Sequence, residues 1–272
     1  MIMESVLAGS FFSSDPVELK EQITSFLLDA GLDTNYNQPL GIISPHAGYI
    51  YSGKCAAYGY NAIKPKDFDL AVIIAPCHRF IGFEYSVGDF ETYQTPLGSA
   101  KIDNLETTAL LQNRKFQFIP QAYSNENSLE TQIPFLQMIK PEAKLLPILI
   151  GNQCRNNSRH LAEVLYSQFE TRLDKVIFIA SSDLSHYHSA ETAIAMDNKL
   201  IENISNRDID ELLDNIENRF SEACGYGSIM TLLYLSEMAN YNEVDILNYS
   251  HSGQINRDNT QVVGYLSSII YK

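Results

Sequence analysis

The sequence predicts an α/β fold in which helices flank a central sheet that is largely parallel or mixed. Short apolar runs alternate along the chain with longer segments whose apolar residues recur at helical spacing. The 272 residues are 45% hydrophobic and 19% charged, which allows a substantial core. Because no Gly, Ser or Pro-rich linker divides the chain and no repeat is visible, we expect one domain over residues 1–272.

The first unit of the pattern is a strand, a loop rich in turn-forming residues and a helix. Leu40–Ser44 predicts the strand, Pro45–Gly53 the loop and Ser52–Ile63 the helix. A second strand is predicted at Leu70–Ala75. Phe83–Thr95 is typical of a β-ribbon with an internal Gly-Asp turn, and we expect it at the edge of the sheet.

Strands and helices continue to alternate after this ribbon. Further helices are predicted at Asn104–Gln112, Ser128–Met138, Ser158–Glu170, Thr192–Asn203, Asp208–Ile216 and Gly227–Ala239. Further strands are predicted at Lys144–Ile150, Lys175–Ala180, Val244–Tyr249 and Val262–Ile270. This alternation favours a sheet whose parallel strands are joined by crossover helices.

Charge and hydropathy exclude some classes of partner. The chain has 33 acidic and 19 basic side chains, a formal charge of −14, and no basic patch, so we expect no nucleic-acid partner. Its apolar runs are far shorter than the roughly 20 residues that cross a bilayer, and no basic segment precedes the short apolar stretch within residues 1–12. We therefore expect a cytoplasmic protein without a membrane partner.

The four cysteines, Cys55, Cys77, Cys154 and Cys224, lie in four separate segments. No two of them form a C-x-x-C pair, which argues against a disulfide framework and against a structural zinc site. We interpret them as buried or inactive thiols in a reducing compartment.

Two histidines follow predicted strands in similar loops. His46 lies in Ser44-Pro45-His46-Ala47-Gly48-Tyr49, and His78 ends Ala75-Pro76-Cys77-His78. Ligands of open α/β sheets collect at the carboxyl ends of strands, and two neutral imidazoles there are suitable ligands for iron, copper, zinc or nickel. A single P-H-x-G loop is weakly specific, because a histidine bonded to a nearby backbone group fits it equally well.

A third loop, from Ala180 to His186, adds a carboxylate and an imidazole after another predicted strand. Asp183 is a candidate metal ligand or a partner that orients a ligating histidine, and His186 is a candidate general acid or base. The same residues also fit a helix start in which Asp183 is the N-cap. Glu130 is the candidate anionic ligand from the run that begins near Ser128, although a solvated carboxylate is the simpler interpretation of any one Glu.

Taken in order, the motifs resemble the MEMO family, whose bacterial and archaeal members are often called AmmeMemoRadiSam system protein B. The stretches that carry the resemblance are Ala8–Phe12 with Asp15-Pro16, the S-P-H-A-G-Y run from Ser44, A-P-C-H from Ala75, Thr95–Gly98, Glu126–Pro134, Ser181–His186, Cys224-Gly225 and Tyr249–Tyr265. They span nearly the whole chain.

The resemblance implies an α/β fold similar to that of the extradiol ring-cleaving dioxygenases, which hold non-haem iron with two histidines and a carboxylate. The resemblance implies that His46 and His78 are the two metal-binding histidines. It also implies that His186 corresponds to the acid–base histidine and that Asp183 lines the pocket.

The sequence departs from the family pattern at two positions. Asn127 stands where many relatives have a histidine. Ile255 stands where some animal members supply a cysteine as a third metal ligand. Because isoleucine cannot bind a metal, we expect either that the remaining ligand is Glu130 or Asp183 or that this position of the site stays open to water.

The function that the resemblance implies is that of a metal-dependent oxidoreductase acting on a small molecule such as a catechol. Its divalent metal would be Fe(II), with Cu or Zn as alternatives. Two other functions remain open: a metal- or peptide-binding module without turnover, and an accessory role beside a radical-SAM partner protein. The chain has no C-x₃-C-x₂-C motif, so an iron–sulfur cluster would belong to that partner.

Overall fold

A computed structural model describes residues 1–31 and 36–272. Its strands are β1 (Ile2–Glu4), β2 (Gly41–Ser44), β3 (Leu70–Pro76), β4 (Tyr85–Val87), β5 (Thr92–Thr95), β6 (Gly98–Lys101), β7 (Phe116–Gln117), β8 (Lys144–Ile150), β9 (Val176–Ser181), β10 (Asp183–His188), β11 (Glu243–His251) and β12 (Val262–Tyr271). Its helices are α1 (Pro16–Ala30), α2 (Tyr49–Ile63), α3 (Asn104–Leu111), α4 (Pro120–Tyr123), α5 (Asn127–Glu130), α6 (Ile133–Ile139), α7 (Arg155–Phe169), α8 (Ala190–Asn206), α9 (Ile209–Glu217), α10 (Tyr226–Ala239) and α11 (Gly253–Asn256), with a 3-10 turn at Leu173–Lys175.

The main sheet confirms the predicted α/β fold. Its strands lie in the order β10-β12-β2-β9-β3-β8-β4-β7, and β11 also pairs with β12. The four central strands β2, β9, β3 and β8 are parallel. β12 joins β2 and β4 joins β8 in the antiparallel sense, so the sheet is mixed with a parallel centre.

Helices cover both faces of this sheet, which explains why its central strands are apolar except at a few terminal positions. In β3, Val72 and Ile74 belong to one core cluster, which includes apolar residues of α7, α8, α9 and α10. Ala71 and Ile73 point the other way, into a cluster built with α1, α2 and α6. None of the helices within the described residues is long and apolar enough to cross a bilayer.

Helix α1 lies in a part of the chain for which no element was predicted. The Asp15 carboxylate accepts hydrogen bonds from the backbone N–H groups of Val17 (2.8 Å) and Glu18 (3.0 Å), and Pro16 occupies the first turn. Gly31 ends the helix with a φ of +51°, a conformation that glycine adopts without steric cost. The local signals of a helix start and stop were therefore present in the sequence.

Two predicted elements are divided in the structure. The ribbon at 83–95 consists of β4, which pairs with β8, and β5, which pairs with β1 and β6 in a separate small sheet. The helix predicted at 128–138 is two short helices, α5 and α6. Pro134 lies in the first turn of α6, a position where its missing N–H costs nothing, and it favours a new helix start there.

Candidate metal centre

The order of the parallel strands brings the candidate site residues together. β9 lies between β2 and β3, His46 follows β2, and His78 follows β3. The centroids of the two imidazole rings are 5.3 Å apart, and the ring planes meet at 71°. The spatial convergence expected from the sequence is therefore present at the carboxyl edge of the sheet.

A hydrogen-bond chain fixes the His46 ring. Its Nδ1 lies 2.8 Å from the Ser181 hydroxyl oxygen, and that hydroxyl donates its own proton to the Ser128 carbonyl at 2.5 Å. Since the serine proton is committed, its oxygen accepts from Nδ1–H of His46, which leaves the lone pair on Nε2. Burial lowers the pKa of His46, and the neighbouring His78 lowers it further.

A buried carboxylate fixes the His78 ring in the same tautomer. Glu126 accepts from the His78 backbone N–H at 2.6 Å and from Nδ1 at 2.8 Å. A carboxylate only accepts, so the proton lies on Nδ1 and Nε2 is free. Burial opposes both charges, but the hydrogen bond and the opposite charge outweigh it: the pKa of His78 is raised and that of Glu126 is lowered.

Cys224 is the third member of the group, and the sequence interpretation missed it. Its Sγ lies 3.0 Å from Nε2 of His46, and it accepts from the Asp183 backbone N–H at 3.2 Å. Gly225 allows this turn to pack closely, because a Cβ there would lie 2.1 Å from the Ser181 carbonyl oxygen. The Cys224-Gly225 motif was the feature of the sequence that could have identified this cysteine as part of the site.

The ligand atoms of His46, His78 and Cys224 all lie within 4.8 Å of one another. Nδ1 of each imidazole is occupied by a hydrogen-bond partner that orients the ring, which leaves Nε2 as the nitrogen available for a ligand. Oriented imidazoles of this kind are typical of metal ligands. These residues fit a metal ion that accepts nitrogen and sulfur donors.

Cys224 and His46 also form a thiol–imidazole pair, which is the combination found in enzymes with a nucleophilic cysteine. Burial raises the pKa of Cys224, as does the charge of Asp183, and burial lowers the pKa of His46. Both shifts favour the neutral pair, whereas a nucleophilic cysteine requires the thiolate. The pair is poorly suited to covalent catalysis by itself.

Asp183 lies in strand β10 and is not the N-cap of a helix; α8 begins later, and Ser189 caps it. The Asp183 carboxylate accepts from the His46 backbone N–H at 2.7 Å, so it holds the His46 loop in place. Burial raises the pKa of Asp183 to about 6.

His186 is half-buried, and its backbone N–H donates to Glu222 at 3.2 Å. The charge on its ring lowers the pKa of both His46 and Asp183, so the ring lies within electrostatic reach of the site. The strand is irregular here: Tyr187 has a φ of +62° and its side chain is exposed.

Glu130, the expected anionic ligand, has another role. It is fully buried and accepts hydrogen bonds from Ser5 Oγ, from the backbone N–H groups of Val6 (3.2 Å) and Leu7 (3.0 Å), and from the Tyr93 hydroxyl (2.8 Å). Both carboxylate oxygens therefore secure the segment that follows β1, and the group of ligand atoms contains Cys224 instead.

The structure also shows the contacts or exposure of the two residues that depart from the family pattern, Asn127 and Ile255. The Asn127 amide donates to the His46 carbonyl at 3.1 Å and helps to hold that loop. Ile255 lies in α11 with half of its surface exposed. A third potential donor atom is thus available from Cys224, and the group does not include position 255.

Comparisons with known proteins agree with the resemblance. A family model described as Memo-like protein matches residues 4–269. A MEMO1 family protein of Thermotoga maritima is 34% identical over 100% of both chains. One of Thermoplasma volcanium is 36% identical over 99% of this chain and 98% of its own. The crystal structure of an uncharacterized protein from Escherichia coli K12 is similar with a TM-score of 0.46 and 12% identity, covering 78% of this chain and 91% of that one. The chain belongs to the Memo family.

Proposed function

We propose that the protein binds one divalent metal ion through Nε2 of His46, Nε2 of His78 and Sγ of Cys224, and that it acts there as an oxidoreductase on a small molecule. The observation that carries the proposal is the convergence of these three atoms within 4.8 Å, with both imidazoles held in the Nδ1–H tautomer. Fixed tautomers are expected of ligands and are not required of histidines that merely fill space.

Fe(II) is the metal we propose first, because the family resemblance implies a fold similar to that of the extradiol dioxygenases, which hold non-haem iron. Two imidazoles and a thiolate also suit copper and zinc, and the thiolate replaces the carboxylate of the dioxygenase ligand set. Elemental analysis of the protein as purified would identify the ion, because competition in vitro follows the general order of metal affinities and favours copper.

A bound metal of this kind supplies Lewis acidity and, for iron or copper, a change of oxidation state. We assign the other functions to side chains around it. His186, half-buried at the edge of the site, accepts a proton from a phenolic hydroxyl of the substrate. Asp183 keeps the His46 loop in position through its hydrogen bond to the backbone N–H.

Elemental analysis after anaerobic loading with Fe(II) tests the metal centre. We expect one ion in the wild-type protein and at least a tenfold loss of affinity in His46→Ala, His78→Ala and Cys224→Ser. His160→Ala is the matched control, because His160 stacks on Tyr85 and lies outside the ligand group. Equal loss of metal in this control, or no metal in the wild type, would contradict the proposal.

Oxygen uptake with a panel of catechols then tests the reaction. Uptake that depends on both the metal and His186 supports the oxidoreductase. Stoichiometric metal without uptake would favour the alternative of a metal-binding module or an accessory to a radical-SAM partner, and pull-down with such a partner would separate those two.

A further inference from the structure

The side chain of Gln153 bonds to both ends of the turn that carries Cys224. Gln153 lies in the loop between β8 and α7. We propose that it is a positioning residue for the thiol ligand: its amide holds the 224–227 turn so that the sulfur faces Nε2 of His46. This inference rests on the proposed metal centre and names a residue on which the third ligand depends.

Both halves of the Gln153 amide are used. Nε2 donates to the Cys224 carbonyl at 2.8 Å, and Oε1 accepts from the Gly227 backbone N–H at 2.8 Å. The Tyr226 hydroxyl donates to the Gln153 carbonyl, which ties the same two segments together again. One side chain thus spans the turn from its first residue to its last.

The opposite side of the turn is held by the loop after β9. The Cys224 backbone N–H donates to the Asp183 carbonyl at 3.2 Å, and the Gly225 N–H donates to the Ser182 hydroxyl at 2.9 Å. Cys224 is therefore held between two loops, and Gln153 is the side-chain contact from the β8 side.

Two of the four residues in the turn are glycines, Gly225 and Gly227. Gly227 lies in the first turn of α10, whereas Gly225 precedes the helix. Because glycine has the largest backbone freedom, the part of the turn before α10 relies on external hydrogen bonds. Without the Gln153 amide, the Cys224 carbonyl should rotate away from its present position. The Cys224 sulfur should move with it, because both belong to the same residue. We expect the two imidazole ligands to be unaffected, because Ser181 and Glu126 orient them independently.

Gln153 can be changed without opening the core. It is half-buried in the wall of a cavity of about 560 Å³ that is also lined by Ile81, Phe83 and Tyr226. Gln153→Met keeps the length of the side chain and removes both hydrogen bonds. Gln153→Glu keeps an acceptor for the Gly227 N–H and loses the donor to the Cys224 carbonyl. It therefore tests the hydrogen bond to Cys224 by itself.

Co(II) is the probe, because a thiolate bound to cobalt gives a charge-transfer band in the near ultraviolet and imidazole ligation alone does not. We expect the wild type to show the band and Cys224→Ser to lack it. Gln153→Met should retain cobalt on the two imidazoles with affinity reduced about 10- to 100-fold and with less than about half the band intensity. Gln153→Glu should lose part of the band.

Gln168→Met is the matched control: Gln168 is also half-buried and its amide also donates to a backbone carbonyl, that of Glu106. A full band and unchanged affinity in Gln153→Met or Gln153→Glu would overturn the role of Gln153 and leave the metal centre intact. Equal loss in Gln168→Met would overturn it by showing a general loss of stability. Absence of cobalt binding in the wild type would instead overturn the metal centre.

Discussion

The Ser181 hydroxyl and the His46 imidazole lie 2.8 Å apart, and the serine proton is donated elsewhere, to the Ser128 carbonyl. Ser181 therefore determines which nitrogen of His46 carries the proton. Gln132 reinforces the arrangement, because its amide donates to the same oxygen at 3.1 Å and to the Pro45 carbonyl at 3.0 Å. The chemistry of His46 thus depends on residues that do not face the ligand group.

Ser181→Ala should weaken metal binding by about 10- to 100-fold while all three proposed ligands remain. Without the hydroxyl acceptor, His46 gains access to the tautomer with its proton on Nε2, and that nitrogen, which faces Cys224, then has no lone pair for a metal. Competition with a chelator measures the affinity. Ser158→Ala is the control, since Ser158 is equally buried and its hydroxyl has no partner among the described residues. Equal affinity in both variants would contradict the role of Ser181.

Glu126→Gln should lower the pKa of His78 in the metal-free protein, because the carboxylate charge stabilises the imidazolium and the amide does not. The Nδ1–H can still donate to the amide oxygen, but the new NH₂ group faces the His78 backbone N–H and lowers stability, so the titration is made under conditions in which the variant is folded. NMR titration of the His78 ring measures the change. Glu222→Gln is the matched control, because Glu222 contacts His188 at 3.0 Å and should leave the His78 pKa unchanged.

Glu130→Gln should lower the free energy of unfolding by about 2 to 3 kcal/mol and leave the metal content unchanged. The new NH₂ group would face buried groups that themselves donate hydrogen bonds, so at least one of these donors would lose its acceptor. An unsatisfied buried group lowers the free energy of unfolding by about this amount. Chemical denaturation and elemental analysis of the same sample give both numbers. Loss of metal with normal stability would restore Glu130 as a ligand.

Asp197→Asn should remove one component of the pH dependence of stability. Burial raises the pKa of Asp197 above its ordinary 3.8. The folded state therefore binds this proton more strongly than the unfolded state, and wild-type stability falls as pH rises through the raised pKa. Asn can keep both contacts, with the Ser185 N–H at 3.0 Å and the Tyr249 hydroxyl at 2.7 Å.

Denaturation of wild type and Asp197→Asn between about pH 4 and pH 7 measures the difference. We expect the wild type to gain stability relative to the variant as the pH falls. In a protein that keeps Asp197, Tyr249→Phe should make the free energy of unfolding depend more strongly on pH than in the wild type. The reason is that the tyrosine hydrogen bond opposes the rise in the pKa of Asp197. Parallel curves for wild type and Asp197→Asn would show that this carboxyl does not contribute.

The sequence by itself determined the α/β fold and the positions of His46 and His78 at strand ends. Both follow from local patterns: β2 and β3 are runs of buried apolar residues, and proline ends each run. The start of α1 at Asp15-Pro16 was equally readable, although no helix was predicted there. Strand and helix signals of this kind depend on neighbours within a few residues.

Only the tertiary structure decided which side chain joins His46 and His78 and which groups each carboxylate contacts. Cys224 is 178 residues from His46, and Ser181 is 135 residues from it, so no local pattern links them. Glu126 and Glu130 lie on one short segment, yet one orients His78 and the other holds the segment after β1. The physical reason is that hydrogen-bond partners are assigned by strand order and packing, which place distant segments within 3 Å of one another only in the folded chain.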